Sequence, residues 1–273
     1  MKVNKILLHV VLLSVGIIWI FPFIWTISSS LKTNIELINS GINILPKGIQ
    51  WDNYVHAWTE ANFAGYFMNT LIITIGTVLI IIGMSALTGY ALARVQFPGR
   101  NLFIVIITAT MFIPQGYTII PTYMVVKYLG LLDTLAGVIL AESGGAHVLF
   151  ILLFMAYFMK LPKELEESSV IDGCGFLRTF GLIMLPLSKP IIATTAILQF
   201  IATWNSFLIP LIFTLNKPEI RTLAVGMYSF VGENSTDWAG MAAGSAISLI
   251  PVIIVFIVFQ RWFIEGVAGS VKG

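Results

Sequence analysis

Apolar residues run along this chain in six long stretches separated by short polar breaks. They cover residues 6–27, 66–93, 102–120, 134–158, 188–213 and 238–259. A helix needs about 20 mostly apolar residues to cross the hydrocarbon core of a bilayer. The pattern therefore predicts an all-α integral membrane protein with about six transmembrane helices, forming a single domain over residues 1–273. The first stretch is longer than the apolar core of a signal peptide, and no A-x-A cleavage site follows it, so it is expected to be retained. Prolines recur inside the stretches, at Pro22, Pro114, Pro190, Pro210 and Pro251. Each removes a backbone donor and can kink its helix. Lipid cannot satisfy the freed carbonyls, so neighbouring helices or water must. That suits a bundle around a pathway, although proline is common in membrane helices of every kind. The longest connection is 28–65. Its aromatic stretch Trp51, Tyr54, Trp58, Phe63 fits a helix lying at the outer interface and equally an ordinary loop with interfacial aromatics.

Composition supports the same solvent. Hydrophobic residues make up 58% of the chain and charged residues 10%, with a mean hydropathy of +0.93. Soluble domains carry roughly 25% charged residues, so there is too little charge here to solvate a globule. The net charge of +2 gives no sign of a nucleic-acid partner. The single cysteine, Cys174, excludes an internal disulfide and reads as a small packed residue. With the N-terminus inside, Lys2, Lys5, Arg94, Arg100, Lys160, Lys163, Arg178, Lys189, Arg261 and Lys272 fall on the cytoplasmic side. Lys32, Lys47, Lys127, Lys217 and Arg221 fall outside. Ten against five predicts that both termini are cytoplasmic.

The connection between the fourth and fifth stretches, about 160–187, is the most informative. Pro162 suits a helix start, where its missing N–H costs nothing. Glu164, Glu166 and Glu167 follow in the first turns, where carboxylates suit the positive helix end. Gly173 and Gly175 then end or bend the helix. The expectation is a short acidic helix, a turn and a second amphipathic piece entering helix five. Such a knob could dock on another protein, and it could equally be a plain capped loop.

This segment resembles the EAA loop of binding-protein-dependent ABC importer permeases. That motif reads E-A-A, three residues, Gly, nine residues, then I-x-L-P. Here Glu167-Ser168-Ser169 is followed by Val170, Ile171 and Asp172, then Gly173. Nine residues later come Ile183, Met184, Leu185 and Pro186. Ser168, Ser169 and Cys174 stand where the family usually has alanines. Further segments are similar to the carbohydrate-uptake branch of the family and its maltose-type second permeases. They are Ser85–Arg94 with Phe97-Pro98-Gly99-Arg100, Ile113-Pro114-Gln115 with Pro121-Thr122-Tyr123, Leu129–Thr134, Trp204-Asn205 and the tail Gly266–Gly273.

The resemblance implies that the loop forms a cytoplasmic coupling helix seated in a cleft of an ATPase subunit. The coupling residues would be Glu166, Glu167, Ser168, Ser169, Asp172, Gly173 and Cys174. It further implies a homologous second permease, an ATPase dimer that binds the ATP and Mg, an extracellular solute-binding protein, and a sugar-like solute. A polyol or another small solute remains an alternative. The chain itself would be no enzyme, would carry no cofactor, and would form half of the pathway in a bacterial-type cell membrane. Related permeases use the outer loop between helices five and six to meet the binding protein. That makes Glu233 and Asn234 candidate contacts, the alternative being a solvated connector.

Other chemistry is thin. No G-x-x-x-x-G-K-[ST] phosphate loop occurs, so no ATP hydrolysis is expected in this chain. His9, His56 and His147 lack metal-ligand spacing. A membrane-embedded enzyme would have to use Glu142 with His147, five apart and off one helix face. An ion-coupled secondary transporter would need several intramembrane acids or internal repeats, and only Glu142 falls inside a span. That acid either lines the pathway, with Asn205 as a second candidate, or pairs with a neighbouring helix.

Overall fold

The computed structural model describes residues 5–59, 61–144, 147–232 and 235–271. The principal helices are α1 Lys5–Ser29, α2 Asn34–Ser40, α3 Asp52–Thr59, α4 Phe63–Arg94, α5 Arg100–Ala109, α6 Ile119–Tyr128, α7 Leu135–Ser143, α8 Val148–Lys160 and α9 Glu164–Ile171. They continue with α10 Phe176–Leu187, which contains a π-turn at Phe180–Met184, then α11 Lys189–Trp204, α12 Leu208–Phe213 and α13 Trp238–Val271. Among the described residues there is no β-strand, only an isolated bridge between Val231 and Thr236.

Among the described residues, three helices are long and apolar enough to cross a membrane unbroken: Lys5–Ser29, Phe63–Arg94 and Trp238–Trp262. Three bent pairs raise the number to six if each is one span. Arg100–Phe112 meets Gly116–Tyr128 at 99°, Leu135–Ser143 meets Val148–Lys160 at 60°, and Phe176–Leu187 meets Lys189–Trp204 at 78°.

Two of the apolar stretches do not run as single helices. The stretch 102–120 does not run as one helix. Ile113 is extended (φ −80°, ψ 118°) and Pro114 follows it, because the proline ring disfavours helical backbone at the residue before it. The stretch 188–213 is also interrupted. The Asn205 side chain folds back 2.8 Å to the Ile201 carbonyl, the local competition that ends helices at Asn. Pro210, inside α12, could not have donated the next bond of a continuous helix.

The chain divides into two compact units, Met1–Phe67 with Val225–Pro251 and Met68–Ala224 with Val252–Gly273. A single oil-drop core is not required when lipid covers the flanks. In the first unit, buried Phe63 packs against Tyr66 and Phe230 at ring distances of 6.2 and 5.2 Å. The absence of a side chain at Gly244 admits the Phe63 ring, which would lie 2.6 Å from a Cβ there. The loop 28–65 holds two helices, α2 and α3. It is closed by fully buried Lys32, which donates to the Asn43 carbonyl, and by Asn53, which donates to the Ser30 and Lys32 carbonyls at 2.8 Å.

Among the described residues, two cores lie in the second unit. One gathers Ala86, Tyr90, Phe154, Phe158, Met184 and Ile191. The other gathers Ile73, Val126, Val138, Ala141 and Phe213. In the first of these, α4 approaches α8 so closely at Gly89 that a Cβ would sit 2.6 Å from Phe154 Cβ and 2.9 Å from the Ile151 carbonyl oxygen. Small residues allow such approach where no hydrophobic force drives helices together. Gly83, on the same helix, has nothing within 4 Å. Gly89→Ala is therefore expected to destabilise by about 1–3 kcal/mol through overpacking, while Gly83→Ala is near neutral. The thermal unfolding midpoints of the two detergent-solubilised variants check this, and equal midpoints would contradict the packing.

Candidate functional site

The segment after α8 is a helical hairpin. Three acids, Glu164, Glu166 and Glu167, open α9 and complement its N-terminal dipole. At the other end Gly173 takes φ +80°. Its N–H donates to the Val170 carbonyl at 3.0 Å, and the Cys174 N–H donates to Ser169 at 2.9 Å. This pair of bonds is the Schellman closure, which places a left-handed residue just past the helix. It is the physical reason for glycine at this point of the motif. Across the turn, the Ser169 and Thr179 hydroxyls meet at 2.8 Å in a buried contact that ties α9 to α10.

The two faces of α9 differ. Glu166 turns inward: its Oε1 lies 2.8 Å from Arg94 Nε, with the side chains only 21% and 7% exposed. The two atoms meet as an ion pair without hydrogen-bond alignment, and neither has a hydrogen bond elsewhere. The same guanidinium donates through Nη2 to the Leu161 carbonyl at 2.8 Å. One turn back on α4, Tyr90 holds its hydroxyl beside the Glu166 carboxylate. Its ring stacks on Phe176 and Phe180 at 4.7 and 5.4 Å. Outward face Glu167, Ser168, Asp172 and Gly173, together with Val170 at 66% and Ile171 at 86% exposure. Cys174 is half-buried. The seven residues that the motif groups together thus divide, with Glu166 and Ser169 holding the hairpin to the bundle and the rest exposed or half-buried. Sequence reasoning assigned no role to Arg94, Tyr90, Val170 or Ile171. The signals were a basic residue closing a long apolar run, within the segment Ser85–Arg94 that resembles the carbohydrate-uptake branch, and two apolar residues in an otherwise polar helix.

The breaks of the fourth and fifth apolar stretches also meet. Ser206, just past α11, donates its hydroxyl to Glu142 Oε1 at 2.5 Å. His147 Nε2 lies 3.2 Å from the Glu142 carbonyl, so the bend joins two residues that one straight helix would hold apart. The Glu142 carboxylate is therefore partnered by a neighbouring element, while Asn205 is exposed with its amide on Ile201. Glu233 and Asn234 lie outside the described residues. A few residues further along the chain, Asp237 accepts from the Gly240 N–H at 2.9 Å and from Asn34 Nδ2 at 2.8 Å. A cavity of about 400 Å³ adjoins, lined in part by Asn34, His56, Phe230 and Asp237. Among the described residues no three His, Cys, Asp or Glu side chains come together to hold a metal ion.

A knob of this register on a bundle of broken apolar helices defines a class. The chain belongs to the family of binding-protein-dependent transport system inner membrane components, which matches residues 85–269. It is a multi-pass membrane protein and the permease subunit of an ABC importer. It is 34% identical over 254 residues to the probable ABC transporter permease protein YurM of Bacillus subtilis, spanning 93% of this chain and 84% of the relative. It is 33% identical to the arabinooligosaccharides transport system permease protein AraQ of the same organism, over 100% of this chain and 97% of the relative. It is 31% identical to the trehalose/maltose transport system permease protein MalG of Thermococcus litoralis, over 99% and 98%. Among solved structures it resembles a chain of a bacterial ABC transporter involved in the import of the acidic polysaccharide alginate. The TM-score is 0.81 at 26% identity, covering 95% of this chain and 96% of that one.

Because no atom lies within 4 Å of a Cβ built at Gly173, its backbone angle alone sets the cost of a side chain. Gly173→Ala is expected to cost about 1–2 kcal/mol, and Gly173→Asn less, since Asn tolerates this conformation. Hydrogen exchange at the Gly173 and Cys174 amides should accelerate more in the alanine variant, and the reverse order would contradict the closure.

Proposed function

We propose that this chain forms half of the translocation pathway of an ATP-driven importer for a sugar or oligosaccharide. It pairs with a homologous second permease and receives solute from an extracellular binding protein. Energy comes from a separate ATPase dimer, which holds the ATP and Mg. Both termini face the cytoplasm, by the excess of Lys and Arg on that side, and the hairpin 160–187 then faces the ATPase. The solute class rests on the relatives, which include permeases for arabinooligosaccharides and for trehalose and maltose. A relative from Synechocystis, 32% identical and named for osmoprotective compounds, keeps a polyol-like solute in view.

The observation that carries the coupling role is the apolar tip of α9. Val170 and Ile171 are exposed at the C-terminal end of a helix that is anchored through Glu166 and Ser169, and lipid does not bathe a loop rimmed by Glu164, Glu167 and Asp172. Exposed apolar residues rimmed by charge mark a docking surface. Glu167 and Asp172 would set its polar contacts. Glu142 and Asn205, at the meeting of two helix breaks, are the pathway candidates, since interrupted helices line solute sites in membranes. Glu233 and Asn234 are the candidate contacts for the binding protein.

Reconstitution of the four components in liposomes tests the reading. ATP-dependent uptake of an oligosaccharide is expected, and uptake that proceeds without the ATPase would overturn it. Ile171→Asp and Glu167→Lys are expected to reduce ATPase co-purification at least tenfold with insertion unchanged. Normal co-purification of both would remove the hairpin from the coupling surface. Glu142→Gln keeps the shape and the bond from Ser206 while removing charge. It is expected to assemble normally and alter uptake rate or solute preference; unaltered transport of every solute tried would take Glu142 out of the pathway.

A further inference from the structure

Arg94 occupies a position that the motif does not describe. It is the last residue of α4. Its guanidinium reaches the carbonyl of Leu161, which caps α8, and the carboxylate of Glu166 on α9. One side chain thus joins the ends of two long helices to the hairpin. The ring of Tyr90 makes a second tie, clasped between α10 through Phe176 and Phe180 and α8 through Phe158 at 5.4 Å. Both ties belong to α4, four residues apart, so they lie on one face of that helix. The C-terminal end of α9, one turn beyond the Glu166 tie, carries the exposed tip.

We propose that Arg94 and Tyr90 are positioning residues that make α4 move with the hairpin, converting displacement of α9 into rearrangement of the transmembrane bundle. The proposal rests on the coupling role of the hairpin given above and names the path by which the motion leaves it. Coupling between distant sites needs elements that shift as units. The arginine is suited to this role because its planar guanidinium presents its donors in a rigid fork, whereas a lysine ammonium is a point charge on a flexible stem. The ion pair is largely desolvated, so removing either partner leaves the other charge buried and uncompensated. The Glu166 carboxylate therefore has a strong reason to follow Arg94 rather than detach.

The test compares docking with transmission in the complete reconstituted complex. The variants are Arg94→Gln, Glu166→Gln, Tyr90→Phe and the charge exchange Arg94→Glu/Glu166→Arg, with Glu167→Lys at the exposed tip as the docking control. Two quantities are read: ATPase co-purification and solute molecules imported per ATP hydrolysed. Arg94→Gln and Glu166→Gln are expected to retain the ATPase while imported solute per ATP falls at least tenfold. The charge exchange should recover part of that ratio. Tyr90→Phe, which removes one oxygen and keeps the stacked ring, should lower the ratio by a smaller factor and serves as the readout if the charge variants fail to insert. A wild-type ratio in the junction variants, with docking lost in Glu167→Lys, overturns the junction alone. A deficit that tracks lost co-purification in every variant also overturns it. Wild-type behaviour throughout, including Glu167→Lys, overturns both the junction and the coupling role of the hairpin.

Discussion

Hydrocarbon offers no hydrogen bonds, so each backbone group freed by a helix break must find its partner within the protein. Several side chains of this permease are placed by that demand. His147 covers the carbonyl of Glu142 where α7 stops. Ser188 turns its hydroxyl to the Met184 carbonyl at 2.6 Å, after its own N–H has gone to Leu185. Arg100 donates to the Leu92 carbonyl near the end of α4 at 2.7 Å, and Arg94 does the same for Leu161 after α8. Both arginines also place positive charge at helix C-termini, where the dipole favours it.

The same demand ties structure to transport. A straight helix satisfies itself and can be indifferent to its neighbours. A broken helix recruits side chains from other elements, and those side chains then link the elements mechanically. Ser206 with Glu142 joins the breaks of two apolar stretches. Arg94 with Glu166 and Leu161 joins α4, α8 and the hairpin. Under the proposed function, such links would let the bundle pass from one packing to another as connected blocks, which is what gated access to a solute requires.

The apolar pattern was enough to read an all-α membrane protein and the location of all six apolar stretches, since length and hydropathy answer directly to bilayer thickness. It did not reveal that three of the six are bent. Proline marks only one ingredient of a break: Pro22 and Pro251 lie inside unbroken α1 and α13, while Pro114 turns the chain by 99°. The difference lies in what surrounds each proline, and hydropathy carries no information about neighbours. The EAA-like spacing was legible residue by residue because the Schellman closure is local. Six consecutive positions, Ser169 to Cys174, fix its hydrogen bonds, and glycine is needed at one of them.

What the sequence determined by itself is what depends on near neighbours in the chain: the apolar runs, the acidic start of α9, the left-handed turn at Gly173 and the family to which that register belongs. Tertiary structure alone decided which of the two adjacent acids faces the bundle. Glu166 and Glu167 are chemically the same, and only the approach of α4, set by the absence of a side chain at Gly89, brings Arg94 to the first and leaves the second in the open.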